Sequence, residues 1–215
     1  MPARPVRAVA FDFNGTLSDD EPVLLSVYQE LFAERGRPLT AETYFATLAG
    51  NTEEFIIATW LDVDGDELAV LMERRIEGYL ERCRDGSTIS AAARQAVSDA
   101  AARVPVTVVS GAFRREIAPV LAGAGIDRHV SFLVTADDVE RGKPDPECYL
   151  LAASQLGISP AELVAFEDTE AGVASAKGAG AYCVAVVGTH TPERLAAADE
   201  LVDALGPAVV ARLLR

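Results

Sequence analysis

An apolar run over residues 6–11 stops abruptly at Asp12 and gives way to a turn at Gly15-Thr16. It is short and apolar at successive positions, the pattern of a strand buried on both faces of a parallel sheet. Similar runs at 104–109, 130–135, 163–166 and 182–187 predict four more strands. Helical spacing fills the intervals: an alanine-rich stretch at 89–103, a helix at 113–121 with Pro119 inside it as a kink or an early stop, and helices at 147–156 and 169–179. Gly157 is placed to end the third of these. The tail, 192–215, reads as two short helical runs around Leu201-Val202, which has the pattern of an edge strand. Alternating strands and helices imply a parallel α/β sheet with right-handed crossovers, wound on both faces.

Residues 18–84 break that rhythm. Ser18-Asp19-Asp20-Glu21-Pro22 has the acidic residues and the Pro that favour a helix start. Val23, Leu24, Val27, Tyr28, Leu31 and Phe32 then recur at helical spacing, up to a stop at Gly36. Further helices are expected at 40–48, 52–61 and 66–84, with no strand signal between them. The expected organisation is therefore an α/β core of residues 1–17 and 85–215, with an all-helical cap of residues 18–84 inserted and hinged near 17 and 85. The acidic stretch 62–67 resembles a calcium loop only superficially. Its Gly comes too early and no closing Glu follows, so it is read as a turn capping the next helix.

Charge and cysteine content narrow the function. The net charge is −14 over 215 residues, and the cap alone carries fifteen acidic residues against six arginines. Binding to nucleic acid or to an anionic membrane through a basic face is not expected. Three separated cysteines without a Cys-x-x-Cys pair predict reduced, buried thiols rather than a redox or metal site. Neither an apolar leader nor a membrane-length run is seen, so a cytoplasmic protein is expected, as a monomer or weak homodimer.

Polar residues stand where the apolar runs stop: Asp12, Ser110 and the pair Glu167-Asp168, with Lys143 in the loop 141–146. In an open α/β sheet the ligand site lies beyond the carboxyl ends of the strands. A carboxylate, a hydroxyl, an ammonium and an acidic pair at one sheet edge suit a phosphoryl group and a hard cation such as Mg²⁺. Lys143 is one of only two lysines in the chain, so its place in this set is informative. His129 and His190 are read as structural or surface residues. One of Arg114 and Arg115 is close enough to Ser110 in sequence to reach a substrate anion, and a solvated helix face is expected for at least one of them.

The stretch Asp12-Phe13-Asn14-Gly15-Thr16-Leu17 resembles the Asp-x-Asp-Gly-Thr-Leu signature of the haloacid dehalogenase superfamily. Val108-Val109-Ser110, Gly142-Lys143-Pro144-Asp145-Pro146 and Phe166-Glu167-Asp168-Thr169-Glu170-Ala171-Gly172 resemble its later motifs, in the same order. The helical insert resembles the small cap of the β-phosphoglucomutase-like branch. The resemblance implies a doubly wound core and a phosphatase acting on a small phosphorylated metabolite. Asp12 would be the nucleophile, and Ser110, Gly111 and Lys143 would hold the phosphoryl group. Mg²⁺ would bind to Asp12, the backbone carbonyl of Asn14 and Asp168, with Glu167 as a ligand or beside them. Leu48-Ala49-Gly50-Asn51-Thr52 resembles the substrate-specificity loop of the cap, so Asn51 and Thr52 are either substrate contacts or a plain helix cap.

Asn14 departs from the signature, whose second Asp is the general acid/base. An amide neither gives a proton to a leaving alkoxide nor takes one from water, and such help is worth about 10²–10⁴ in rate. Three readings stay open: a substrate with an acidic leaving group, such as an acyl phosphate; a slow phosphatase; or a protein that binds phosphorylated ligands without turnover. A Schiff-base mechanism is disfavoured because the cap has no lysine, and the mutase-like histidine is absent from the first cap helix. Retention of Glu167-Asp168 favours attack on phosphorus over attack on carbon.

Overall fold

The computed structural model describes residue 2 and residues 4–215. Its sheet has strands β1 (Ala8–Phe11), β2 (Val106–Val109), β3 (Phe132–Val134), β4 (Leu163–Glu167), β5 (Tyr182–Val186) and β6 (Glu200–Val202). They lie in the order β3-β2-β1-β4-β5-β6, all parallel. The chain therefore reverses its direction of winding between β1 and β4. That switch point leaves a crevice beyond the strand ends, where the helices on either side diverge.

Residue size divides the two faces of the sheet. Val9, Phe11, Val106, Val108, Val164, Phe166 and Val184 face one apolar cluster, and Phe11 stacks on Phe166 of the adjacent strand with ring centroids 5.0 Å apart. Ala8, Ala10, Ala165, Cys183 and Ala185 face the other. These small residues admit two helices, α7 (Glu147–Leu156) and α8 (Glu170–Ala179), close to the sheet. The large-residue face is covered by α5 (Ala91–Ala101), α6 (Arg114–Gly123) and α9 (Pro207–Leu213). All three cysteines are free and buried.

Between β1 and α5 lie α1 (Glu21–Ala33), α2 (Ala41–Thr43), α3 (Glu53–Leu61) and α4 (Gly65–Cys83). The two chain crossings run side by side. Asp19 N–H donates to the Thr88 carbonyl at 3.0 Å, and Ser18 Oγ donates to Thr88 Oγ1 at 2.7 Å. Within this helical segment Tyr28 packs against Phe32 and Tyr44, and Trp60 donates to the Arg37 carbonyl at 2.8 Å.

Several expected elements differ in detail. The helix at 40–48 is one α-turn followed by π-helical turns over Tyr44–Leu48, where Ala49 N–H reaches back to the Tyr44 carbonyl. The wider turn buries both Tyr44 and Leu48. Helix α6 does not stop at Pro119 and runs on to Gly123, because a proline forfeits a single i→i−4 bond. In the acidic turn, Asp62 is left-handed (φ 58°), and Asp64 occupies the N-cap of α4 without a side-chain capping bond. Residues 192–198 form turns rather than the first of two helical runs; only α9 of the expected pair is present, and Leu201-Val202 lies in β6. Among the described residues, no helix is long and apolar enough to cross a membrane.

Arg75, on α4, joins the helical insert to the rest of the protein. It is fully buried and forms ion pairs with Glu116 on α6 and, at 3.0 Å, with Glu53 on α3. The rings of Tyr28 and Tyr79 lie 5.9 and 5.4 Å from its guanidinium carbon. Removing one partner of a buried pair leaves the other charge without compensation. Arg75→Met is therefore expected to lower unfolding stability by about 3–5 kcal/mol in urea titrations. Adding Glu116→Leu should recover most of that loss; a double variant no more stable than Arg75→Met would contradict this account of the contact.

Candidate active site

Asp12 follows β1 directly, and its N–H donates to the Phe166 carbonyl at 2.9 Å, extending the β1–β4 ladder by one step. Glu167 ends β4 and Asp168 follows it. Register alone therefore brings these three carboxylates together. Their oxygens lie within 4.8 Å of one another, and all three residues are buried. Two glycines make room for them. At Gly15 (φ +72°) a Cβ would lie 2.0 Å from Asp168 Oδ2, and at Gly172 a Cβ would lie 1.8 Å from Glu167 Oε2. Both positions require the absence of a side chain.

Lys143 reaches this cluster from the loop before α7. Its Nζ is 2.5 Å from Asp12 Oδ1 and 2.6 Å from Glu167 Oε1, and it donates to the Val109 carbonyl at 3.0 Å. The ring of Tyr149, on α7, lies under the same ammonium, and its hydroxyl donates to Glu167 Oε1 at 2.5 Å. Glu167 is thus held by Lys143 and Tyr149 on one oxygen, while its other oxygen is buried without a partner. Asp168 Oδ1 accepts from Thr16 at 3.2 Å, and its Oδ2 is also buried without a partner.

The charge balance follows from this geometry. Burial would lower the Lys143 pKa, but the Asp12 and Glu167 carboxylates outweigh it and raise the ammonium above its ordinary value. Burial raises Asp12 despite Lys143, and raises Glu167 to about 7. Asp168 is raised by burial and by the charges of Asp12 and Glu167, with no cation among the main opposing influences. Three buried carboxylates share one ammonium. The surplus negative charge and the unpartnered Asp168 Oδ2 suit a hard divalent cation.

A cavity of about 390 Å³ opens above the cluster, between the sheet edge and the helical insert. Asp12, Asn14, Ser110, Gly111, Lys143 and Asp168 line its floor. Glu21, Tyr28, Tyr44, Asn51, Thr52 and Glu53 line the opposite side. Ser110 Oγ accepts from Ala112 N–H at 3.1 Å, which leaves its own proton free to be donated. Thr52 caps α3 by accepting from Phe55 N–H, and Asn51 donates to the Leu48 carbonyl at 2.9 Å. Both nevertheless line the cavity, so the helix-cap role is observed at a cavity wall.

Arg114, Arg115 and His190 stay outside the cavity lining. Neither Arg114 nor Arg115 lines the cavity: they pair with Asp138 and Glu73, acids close to them on the surface. His190 is buried beside Arg194 and packs behind Gly50, a lining residue, without lining the cavity itself. Three residues that sequence reasoning passed over enter the site. Tyr149 braces Glu167. Glu21 lines the cavity, accepts from the Tyr44 hydroxyl at 3.0 Å, and is raised by burial. Asp20 is fully buried behind Asn14, and burial pushes it up to about 7 against hydrogen bonds from Tyr79 and Asn14. The run of acids at 19–21 was a visible signal, but it reads first as a helix start.

Comparison with known proteins agrees with this geometry. The model of the haloacid dehalogenase-like hydrolase family matches residues 6–180. The chain is 32% identical over 202 residues to the validoxylamine A 7'-phosphate phosphatase of Streptomyces hygroscopicus subsp. limoneus, covering 93% of this chain and 94% of that protein. It is 29% identical over 181 residues to a phosphorylated carbohydrates phosphatase of Thermotoga maritima, covering 81% and 82%. Its fold is that of CbbY from Rhodobacter sphaeroides in complex with phosphate (TM-score 0.83, 24% identity, 93% and 95% covered). The β-phosphoglucomutase of Clostridium difficile shares the fold as well (TM-score 0.84, 19% identity, 97% of each chain). The chain belongs to the haloacid dehalogenase-like hydrolase family, in its phosphatase branch.

Proposed function

We propose that the protein is a Mg²⁺-dependent phosphohydrolase of small phosphorylated metabolites, working through a phosphoryl group carried on Asp12. The observation that carries this reading is the buried cluster of Asp12, Glu167, Asp168 and Lys143 opening into the cavity. The curated relatives act on phosphate esters, as their names state. When bound by Asp12, Asp168 and the Asn14 carbonyl, Mg²⁺ would neutralise the phosphoryl oxygens and offset the surplus carboxylate charge.

The chain's own residues supply the rest. Lys143 keeps Asp12 ionised and aligned, and the Asp12 carboxylate attacks phosphorus as the bond to the leaving oxygen breaks. Ser110 donates to a phosphoryl oxygen, with the Gly111 backbone beside it. Residues 18–84 act as a lid that moves about the paired crossings at Ser18-Asp19 and Thr88, excluding water and placing Asn51 and Thr52 over the substrate. Glu167, held by Lys143 and Tyr149, supports the ammonium and stands beside the metal rather than in its direct grip.

Asn14 sets the rate. Attack by Asp12 survives its substitution for an acid, but proton transfer to an alkoxide and from water does not. Acyl and aryl phosphates bypass the first loss and not the second. A second reading, a phospholigand-binding protein without turnover, draws on the same Asn14.

Two measurements separate these readings. Saturation with Mg²⁺ at about a hundredfold excess over Kd should raise the melting temperature by roughly 5–10 °C. Asp168→Asn should largely remove that rise; an unchanged rise would place the metal elsewhere. With 4-nitrophenyl phosphate the protein should release a burst of nitrophenol approaching one equivalent per site, followed by slow turnover, and Asp12→Asn should abolish both. Phosphate esters that bind without any burst would select the binding protein.

A further inference from the structure

Asn14 is not free to turn. Its Nδ2 donates to Asp20 Oδ2 at 3.0 Å, and the same oxygen accepts from the Tyr79 hydroxyl at 2.6 Å. Asp20 is fully buried and sits at the N-cap of α1, yet its side chain makes no capping bond. A carboxylate in the position that usually caps a helix is turned toward the cavity floor instead. Its other oxygen, Oδ1, is buried without a partner, so this orientation is not one that satisfies the carboxylate best on its own account.

A carboxylate accepts, and an amide both donates and accepts. Asp20 therefore takes the NH₂ end of Asn14. Asn14 lines the cavity, and no described protein group donates to its Oδ1. The sequence alone shows an acid missing at position 14. The structure shows an amide there with a buried acid behind it.

We infer that Asn14 and Asp20 act as one unit, in which Asp20 is a positioning residue that fixes the amide with Oδ1 toward the cavity, where it orients the water that attacks phospho-Asp12. This rests on the phosphohydrolase reading above. In that step the water oxygen bonds to phosphorus as the bond from phosphorus to the Asp12 oxygen breaks. Asp12 leaves as a carboxylate, and both water hydrogens depart on the phosphate as H₂PO₄⁻. Asn14 accepts a hydrogen bond and no proton. An oriented water without a base is faster than an unoriented one and slower than one with a base.

The unit has a consequence that simple restoration of the missing acid does not foresee. Asn14→Asp alone places a second carboxylate against Asp20 and removes its donor. The acid at 14 should become useful only when position 20 becomes an amide, so that donor and acceptor exchange places.

Rapid-quench kinetics with 4-nitrophenyl phosphate and Mg²⁺ test this by following formation and decay of the phosphoenzyme in the wild type and four variants. Asp20→Ser, which removes the carboxylate with less bulk and is too short to reach Asn14, should slow decay about tenfold and formation by much less, with a melting temperature close to wild type. Asn14→Asp should give no gain in decay. The double variant Asn14→Asp/Asp20→Asn should accelerate decay by about 10²-fold over wild type, the lower range of general acid–base help. Asp20→Asn, whose amide oxygen still accepts from Asn14 Nδ2 while its NH₂ competes for the same place, should slow decay less than Asp20→Ser. The inference is overturned if Asn14→Asp alone accelerates decay as much as the double variant. It is also overturned if Asp20→Ser decays like wild type, or slows formation and decay and lowers the melting temperature together. Absence of phosphoenzyme from all five proteins would overturn the phosphohydrolase reading with it.

Discussion

Three carboxylates and one ammonium are buried together at the carboxyl edge of the sheet, and most features of the site answer to that imbalance. Lys143 is the one cation among the described residues lining the cavity, and it already serves Asp12 and Glu167. Asp168 is left with a buried oxygen and no partner. Isolated buried charge is costly, so such a cluster persists only where function supplies the missing countercharge or where the groups take up protons. The fold accepts this cost at the centre of its sheet. β1 and β4 are adjacent central strands, and Gly15 and Gly172 give up side chains so that the acids can approach.

The two faces of the sheet explain why the cluster forms there. The alanine face of β1 and β4 lets α7 approach closely, and α7 carries Tyr149 to the ammonium from below. The helical insert closes the opposite side with Glu21, Tyr44, Asn51 and Thr52. It is attached to the rest of the chain by the crossings at Ser18-Asp19 and Thr88, and by the buried Arg75–Glu116 pair. Any lid motion of the insert has to carry that pair with it or expose it to water.

Much of this is legible in the sequence alone. Asp12, Ser110, Lys143, Glu167 and Asp168 stand out because apolar runs end at them or because lysine is rare in this chain, and parallel strands bring such ends to one edge. What escaped depends on contacts between segments remote in sequence. Tyr149 reads as one more buried aromatic on α7 until Glu167 is placed against it. Arg75 looks like a surface arginine on a charged helix, and only packing of α4 on α6 reveals its burial. The π-helical turns at Tyr44–Leu48 follow from tertiary burial of Tyr44, which local propensity does not encode. Asp20 was hidden by a second explanation, since an acid before Glu21-Pro22 already makes sense as a helix start. Asn14 was visible as a departure, and its partner was not.

The central claim is that Asp12 itself carries the phosphoryl group between substrate and water. The most direct measurement is to quench the wild-type protein with acid during turnover of 4-nitrophenyl phosphate, reduce with borohydride, and map the product by peptide mass spectrometry. A phosphoryl group on Asp12 is an acyl phosphate, which borohydride converts to homoserine; the account predicts homoserine at position 12 and at no other acidic residue. Phosphate release without modification at position 12, or with the modification at Asp20, Glu167 or Asp168, would contradict it.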